Sequence, residues 1–130
     1  MTKRHSLHLL LVAASTLLLS SCNLFTHEET HINVDPAMLT GKWQQDGSQV
    51  FWRYVADGTG VTWDESEDIT EEESNLTFEW TINGDRLTHV FRGEQGNQAV
   101  PKVYTVKEIS SSAMRWMDDY KMEYNFTKTE

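Results

Sequence analysis

The sequence predicts an all-β protein, an eight-stranded antiparallel up-and-down barrel with one short helical turn. Two observations lead to this prediction. From Met38 onward, stretches rich in aromatic and β-branched residues alternate with turn residues about every 8 to 12 positions. Several of these stretches also alternate between apolar and polar residues, which gives each strand one dry and one wet side. Closure is favoured because it removes the exposed edges of an open meander.

The first 21 residues are predicted to be a lipoprotein signal peptide. The chain opens with a basic Lys-Arg pair, continues with an apolar run over residues 9–19, and reaches a Leu-Ser-Ser-Cys junction at residues 19–22. The apolar run is shorter than the roughly 20 residues that span a bilayer. Cys22 is the single cysteine of the chain, so no second cysteine is present for an intramolecular disulfide.

The Leu-Ser-Ser-Cys junction resembles the lipobox of bacterial lipoproteins, whose cysteine becomes the acylated first residue of the mature chain. The resemblance implies lipidation of Cys22 and a cell-envelope protein anchored to the outer membrane. Acyl chains contribute about 0.8 kcal/mol per buried methylene, so more than one chain suffices as an anchor. An ordinary secretory signal with a chance cysteine and a free thiol are the alternatives.

Residues 22–37 are predicted to be a polar, lipidated tether that ends at the turn signal Asp35-Pro36. His27-Glu28-Glu29-Thr30-His31 matches the H-E-x-x-H pattern of zinc proteases, which needs two imidazoles one helical turn apart and a third ligand. The segment has no apolar helical period, and Ala37 stands where a third histidine is expected. We therefore interpret the match as chance and expect no metal.

The barrel domain is predicted over residues 38–130. Its strands are predicted near residues 41–45, 49–56, 60–64, 76–83, 86–92, 100–108, 113–118 and 121–127. Asp46-Gly47, Asp57-Gly58 and Asn83-Gly84 are tight-turn pairs between strands, because Gly and Asn tolerate a positive φ. A β-sandwich is the alternative architecture, but it needs longer crossing connections than the sequence shows.

An acidic segment, residues 64–75, interrupts the meander. Thr70 and Glu73 fit a capping box, which predicts a single helical turn lying across one mouth of the barrel. Seven carboxylates in this segment offer the oxygen ligands that calcium prefers. They lack the calcium-loop order and the segment has no glycine, so a solvated acidic cap is favoured over a weak divalent site.

Gly41-Lys42-Trp43 resembles the Gly-x-Trp signature of lipocalins and their calycin relatives. Residues 57–64, 68–73 and 100–106 are similar to stretches of the short lipocalin-like lipoproteins of Bacteroides-type bacteria. The resemblance covers about residues 38–128 and implies a lipocalin-like barrel in the cell envelope, without a ligand or site. The Gly-x-Trp spacing predicts that Trp43 plugs the closed end of the barrel. Trp63, beside the acidic segment, is expected at the opposite mouth.

The charge of the chain excludes one class of partner. Removal of residues 1–21 takes away Lys3 and Arg4 and no acids, so the formal charge changes from −9 to −11 over 109 residues. Contacts with phosphates need Lys and Arg in numbers, so we expect no nucleic acid partner. His89 shares a strand face with Leu87 and Phe91 and is interpreted as structural. With no nucleophile-elbow motif in the sequence, we expect neither an enzyme nor a cofactor.

The aromatic residues allow two interpretations, because an eight-stranded barrel is either filled by side chains or just wide enough for one small ligand. A filled barrel points to an interaction or structural lipoprotein that recognises a protein or a glycan on its outer surface. An open cup points to a module that binds a small apolar or amphipathic molecule, which is the leading hypothesis. The candidate lining residues of such a cup are Trp52, Trp63, Trp80, Tyr104 and Tyr124.

Overall fold

The computed structural model describes residues 30–92 and 99–130. Cys22 and the predicted signal peptide lie outside these ranges. The described residues form helix α1 (Pro36–Leu39), a 3-10 turn (Glu65–Glu67) and eight strands: β1 (Gly41–Gln45), β2 (Val50–Tyr54), β3 (Thr59–Asp64), β4 (Thr77–Asn83), β5 (Arg86–Arg92), β6 (Ala99–Ile109), β7 (Ala113–Met117) and β8 (Glu123–Lys128). None of the helices in these ranges is long and apolar enough to cross a membrane.

The eight strands form one closed antiparallel barrel, which confirms the predicted fold class. Each strand pairs with the next along the chain, and β1 pairs with β8 with Gln45 opposite Phe126. Turns occur at all three predicted positions, but the two central residues of the β4–β5 turn are Gly84 and Asp85, because Asn83 still pairs with Arg86. Gly47, Gly58 and Gly84 have φ values of 73°, 89° and 64°, a region that glycine enters without the steric cost other residues meet.

The strand register decides which side chains point into the barrel. Trp43 lies opposite Trp52 and His89 lies opposite Trp80, and directly opposed residues project from the same face of a sheet. The fully buried residues of this inner face come from six of the strands, and the largest are Trp43, Tyr54, Leu87, His89, Val106, Trp116 and Phe126. The core therefore consists mainly of rings, in edge-to-face and offset contacts.

One end of the barrel is closed by residues 31–39. Val34 donates its backbone N–H to Gly84 O at 2.9 Å in the β4–β5 turn, and Leu39 lies two residues before the start of β1. Strands β1 and β5 are on opposite sides of the closed sheet, so the segment crosses the end between them. Val34 and Leu39 are 6% and 0% exposed, and both belong to the hydrophobic core. We call this the closed end and the opposite one the open end.

Residues 31–37, which were predicted from the sequence to be part of the tether, belong to the same compact unit as the barrel, His31–Glu130. The sequence placed Asp35-Pro36 in the tether, as a turn that blocks regular structure. Instead, the Asp35 side chain accepts a hydrogen bond from Ala37 N at 3.0 Å and caps α1. Proline suits the first turn of a helix because the N–H it lacks has no partner there. The same dipeptide therefore starts a short helix.

Trp43 plugs the closed end, as the Gly-x-Trp spacing predicts. Its side chain is 0% exposed, and its indole Nε1 donates a hydrogen bond to Leu39 O at 2.8 Å. Gly41 lies two residues earlier, where a Cβ would lie 2.4 Å from Glu130 O. The chain thus enters β1 close to the C-terminal residue, and Trp43 fixes the closing segment to the barrel.

The predicted helical turn exists, but its position differs from the prediction in two ways. It is the 3-10 turn Glu65–Glu67, N-capped by Asp64, whereas Thr70 and Glu73 form only an isolated turn with a 2.8 Å side-chain contact. The acidic segment also lies on the outer face of the barrel and not across a mouth. Arg53 of that outer face donates to both carboxylate oxygens of Glu71, at 2.9 and 3.0 Å.

Trp63 is predicted from the sequence to be among the residues that line the barrel interior, but in the structure the other face of strand β3 points inward. Gly60 and Thr62 point inward, opposite Tyr54 and Trp52, so Val61 and Trp63 point outward. The inner space beside β3 is taken by Phe78, since a Cβ on Gly60 would lie 2.3 Å from the Phe78 ring. Trp63 is nonetheless only 2% exposed, because it stacks on Phe51 with ring centroids 5.4 Å apart beneath the acidic segment.

Candidate functional site

The open end of the barrel contains a cavity of about 440 Å³, which we call the cup. Its wall and rim come from β1, β2, β6, β7, β8 and the β7–β8 turn. The lining residues are Gln45, Trp52, Pro101, Lys102, Val103, Tyr104, Trp116, Asp118, Asp119, Tyr120 and Tyr124. Five large rings thus line the cup, with polar groups at the rim.

The floor of the cup is made of packed rings. Tyr104 and Trp116 stack at 4.5 Å and 22°, and Trp52 meets Trp116 edge to face at 5.4 Å. His89 packs against Trp52, Tyr104 and Trp116 with ring centroids 5.1 to 5.4 Å apart. Each ring is held from several sides, so the floor is a rigid surface that exists before any molecule binds.

His89 belongs to the core beneath the cup. It is 0% exposed, and its Nε2 lies 2.8 Å from the Tyr54 hydroxyl. Burial, and secondarily the charge of Lys102, lowers the pKa of His89 to about 3. The imidazole is therefore neutral at ordinary pH and cannot reach a molecule in solvent. Its Nδ1 and the Trp52 Nε1 are buried atoms with no hydrogen-bond partner among the described residues.

The rim of the cup carries charges of both signs. Lys102 Nζ lies 5.6 Å from the centroid of the Phe91 ring, which is a cation–π distance. The Asp118 carboxylate builds the β7–β8 turn: its Oδ1 accepts from Tyr120 N and Met122 N, each at 2.9 Å. Its Oδ2 accepts from the Tyr124 hydroxyl at 3.3 Å. Asp119 is exposed beside it.

Tyr104 and Tyr124, two of the three tyrosines that line the cup, remain neutral phenols. Burial raises the pKa of Tyr104, and Tyr124, Asp118 and Asp119 raise it further. Slight desolvation raises the pKa of Tyr124, as do the charge and hydrogen bond of Asp118. Both hydroxyls therefore keep their protons at ordinary pH, and the nearby carboxylates make the cup an environment that disfavours additional negative charge.

Three of the five predicted lining residues line the cup, and two do not. Trp52, Tyr104 and Tyr124 are brought together there. Trp63 lies on the outer face of the barrel, for the reason given above. Trp80 points inward but toward the closed end, where its Nε1 donates to Val55 O and Thr59 O at 3.1 and 3.0 Å.

Sequence reasoning missed Trp116, Lys102 and the residues of the β7–β8 turn. The alternation of Met114 and Trp116 with Arg115 does indicate that Trp116 faces inward. Its height in the barrel depends on the stagger between strands, including the register shift in β6 between Val106 and Glu108. That stagger leaves no simple mark in the sequence.

No protein-family model, curated protein or solved structure matches this chain. The features that bear on function are therefore the cup, the surfaces around it and the N-terminal sequence.

Exposed apolar side chains cluster around the open end. Five large apolar residues in the described ranges are well exposed, and Leu76, Val100, Tyr120 and Met122 lie at the open end, with Tyr120 the most exposed at 87%. Val55 alone of the five lies toward the closed end, beside the β2–β3 turn. Exposed apolar side chains are thus concentrated at the same end of the barrel as the cup, and exposed apolar surface is a common feature of binding surfaces.

The H-E-x-x-H pattern has only its last two residues within the described ranges. Thr30 and His31 lie in non-helical chain, and His31 Nδ1 is 2.7 Å from Asp85 Oδ2 in the β4–β5 turn. His27, Glu28 and Glu29 lie outside the described residues. In residues 30–92 and 99–130, no three His, Cys, Asp or Glu side chains come together as a metal site.

Proposed function

We propose that this chain is a lipid-anchored envelope lipoprotein whose lipocalin-like barrel binds a small apolar or amphipathic molecule in the cup. The observation that carries the proposal is the cup itself. Its volume of about 440 Å³ lies within the range of about 300–1,000 Å³ typical of small-molecule sites. It is lined by rings with a few polar groups at one edge, the composition expected of such sites.

The preformed floor supports binding. Trp52, Tyr104 and Trp116 are fixed by contacts with one another and with His89, so a ligand loses little affinity to ordering of the site. None of the described residues that line the cup is a serine, cysteine or histidine. The lining offers ring faces for apolar contact and a few polar side chains for hydrogen bonds.

Tyr120→Ser tests the cup without disturbing the core. Tyr120 lines the cup and is 87% exposed, so its loss is expected to leave the denaturant midpoint unchanged. Loss of its ring contact is expected to weaken binding of a neutral fluorescent dye, N-phenyl-1-naphthylamine, by about threefold to tenfold. Val55→Ser is the matched control, because it removes an exposed apolar side chain at the closed end. If Tyr120→Ser and Val55→Ser bind the dye equally tightly, the dye binds outside the cup.

The N-terminal sequence supports the anchor. A basic start, a short apolar run and Cys22 follow in the order of a lipoprotein signal. The proposed membrane attachment is through acyl chains on Cys22 alone.

Cys22→Ser tests the anchor. The variant is expected to lose labelling by a palmitate analogue and to leave the membrane fraction, since the acyl chains are the proposed attachment. Ser21→Ala is the control, because it keeps a small residue before an intact cysteine and should stay labelled and bound. The lipoprotein proposal is wrong if Cys22→Ser still sediments with membranes after a salt wash.

A further inference from the structure

We infer that the cup takes an organic cation: a small molecule with a flat apolar ring and a protonated amine. This inference deepens the proposed function and rests on it, because it names the chemical class of the ligand in the same cavity. The cavity defines the site, and the charges around it define the class.

The ring faces of the cup attract positive charge. Trp52, Tyr104 and Trp116 form the floor, and Tyr120 and Tyr124 stand around it. Aromatic faces carry a negative quadrupole, and a cation within about 6 Å of such a face is attracted to it. The same faces stack on a flat apolar ring. A molecule with both a positive charge and a flat apolar ring can therefore contact the aromatic lining with each of these groups.

The carboxylates at the rim add to this attraction. Asp118 is held in place by Tyr120 N, Met122 N and the Tyr124 hydroxyl, so its charge is fixed beside the ring of Tyr124. Asp119 lines the cup and is exposed, so a ligand amine can approach its carboxylate. The acidic balance of the whole chain, −9 at pH 7, also draws cations toward the protein.

Lys102 opposes a cationic ligand. It is the one basic residue among the described residues that line the cup, against two carboxylates. Its Nζ lies over Phe91, which is outside the lining, so the ammonium already has an aromatic partner away from the floor. Lys102 then repels a bound amine, and its removal should strengthen binding. An anionic ligand requires the opposite result.

Three probes of nearly equal shape separate the possibilities: tryptamine, tryptophol and indole-3-acetate, which are cationic, neutral and anionic. Binding is measured by shifts of the Trp52 and Trp116 indole N–H signals in ¹⁵N-labelled protein. Tryptamine is expected to bind about fivefold tighter than tryptophol, and indole-3-acetate weakest. Asp119→Asn should weaken the binding of tryptamine about threefold, and Lys102→Met should strengthen it about threefold.

The outcomes distinguish a failure of the cation inference from a failure of the proposed function. If tryptophol binds as tightly as tryptamine, or indole-3-acetate binds best, the cation inference is overturned while the cup remains a binding site. Weaker tryptamine binding by Lys102→Met would also overturn the cation inference. If no probe shifts the Trp52 and Trp116 signals, the proposed function itself fails. Both substituted residues are exposed, so unchanged denaturant midpoints are expected for the two variants.

Discussion

Trp43→Ala is expected to leave the barrel close to unfolded at room temperature. The Trp43 side chain is fully buried, and its loss removes the plug of the closed end together with the hydrogen bond to Leu39 O. Truncation of a core tryptophan costs about 3–5 kcal/mol. A domain of this size has about 5–15 kcal/mol of stability in total. The measurement is the midpoint of denaturant unfolding followed by circular dichroism.

Trp63→Ala is the matched control for this prediction. Trp63 is nearly as buried as Trp43, but it lies on the outer face under the acidic segment and stacks on Phe51. Water and the covering segment can occupy the space that it leaves, so the loss of stability should be smaller. Dye binding should be unchanged, because Trp63 lies on the outer face of the barrel and does not line the cup. An equal loss of stability would contradict the assignment of Trp43 as the plug.

The free energy of unfolding is expected to fall as the pH drops from about 6.5 toward 3. Burial lowers the pKa of His89 to about 3 from its ordinary 6.5. Between these values the unfolded chain binds a proton that the folded protein does not, so acid favours unfolding. The full difference in pKa corresponds to about 5 kcal/mol, which is reached below the acid end of this window. Equilibrium unfolding at a series of pH values measures it.

A double variant isolates the contribution of His89. Tyr54→Phe with His89→Leu removes both partners of the buried hydrogen bond and leaves neither hydroxyl nor imidazole without a partner. Its unfolding free energy should change much less than that of the parent between pH 6.5 and 4. Exposed carboxylates with lowered pKa, such as Asp57 and Glu130, lose their stabilising interactions at lower pH in both proteins. A parent protein with constant stability from pH 7 to 4 would contradict the buried, neutral imidazole.

The strands and turns could be predicted because the residues that determine them are local. Leu76, Phe78, Trp80 and Ile82 alternate with polar residues, and the inner face of β4 follows from that pattern. The sequence predicts the wrong inner face for strand β3, because Val61 and Trp63 are the apolar residues of Gly60-Val61-Thr62-Trp63 and yet point outward. Sequence alternation cannot show that the acidic segment covers the outer face or that Phe78 occupies the space beside Gly60.

The cup was predicted only in part for a related reason. Which strand face points inward can be read from residues two apart, and this placed Trp52, Tyr104 and Tyr124 correctly. Whether an inward residue lies at the open or the closed end depends on strand stagger and on the segment that closes the barrel. Trp80 was predicted to line the cup, but it lies toward the closed end, where its indole N–H donates to backbone carbonyls at the β2–β3 turn.

The most direct test of a binding cup uses the five tryptophans of the chain as position markers. In ¹⁵N-labelled protein, each indole N–H gives its own signal during titration with a neutral indole such as tryptophol. We expect the Trp52 and Trp116 signals to shift together and to saturate, since both residues line the cup. The signals of Trp43, Trp63 and Trp80 should stay in place. Movement of the Trp43, Trp63 or Trp80 signals while the Trp52 and Trp116 signals stay constant would contradict a ligand site at the open end.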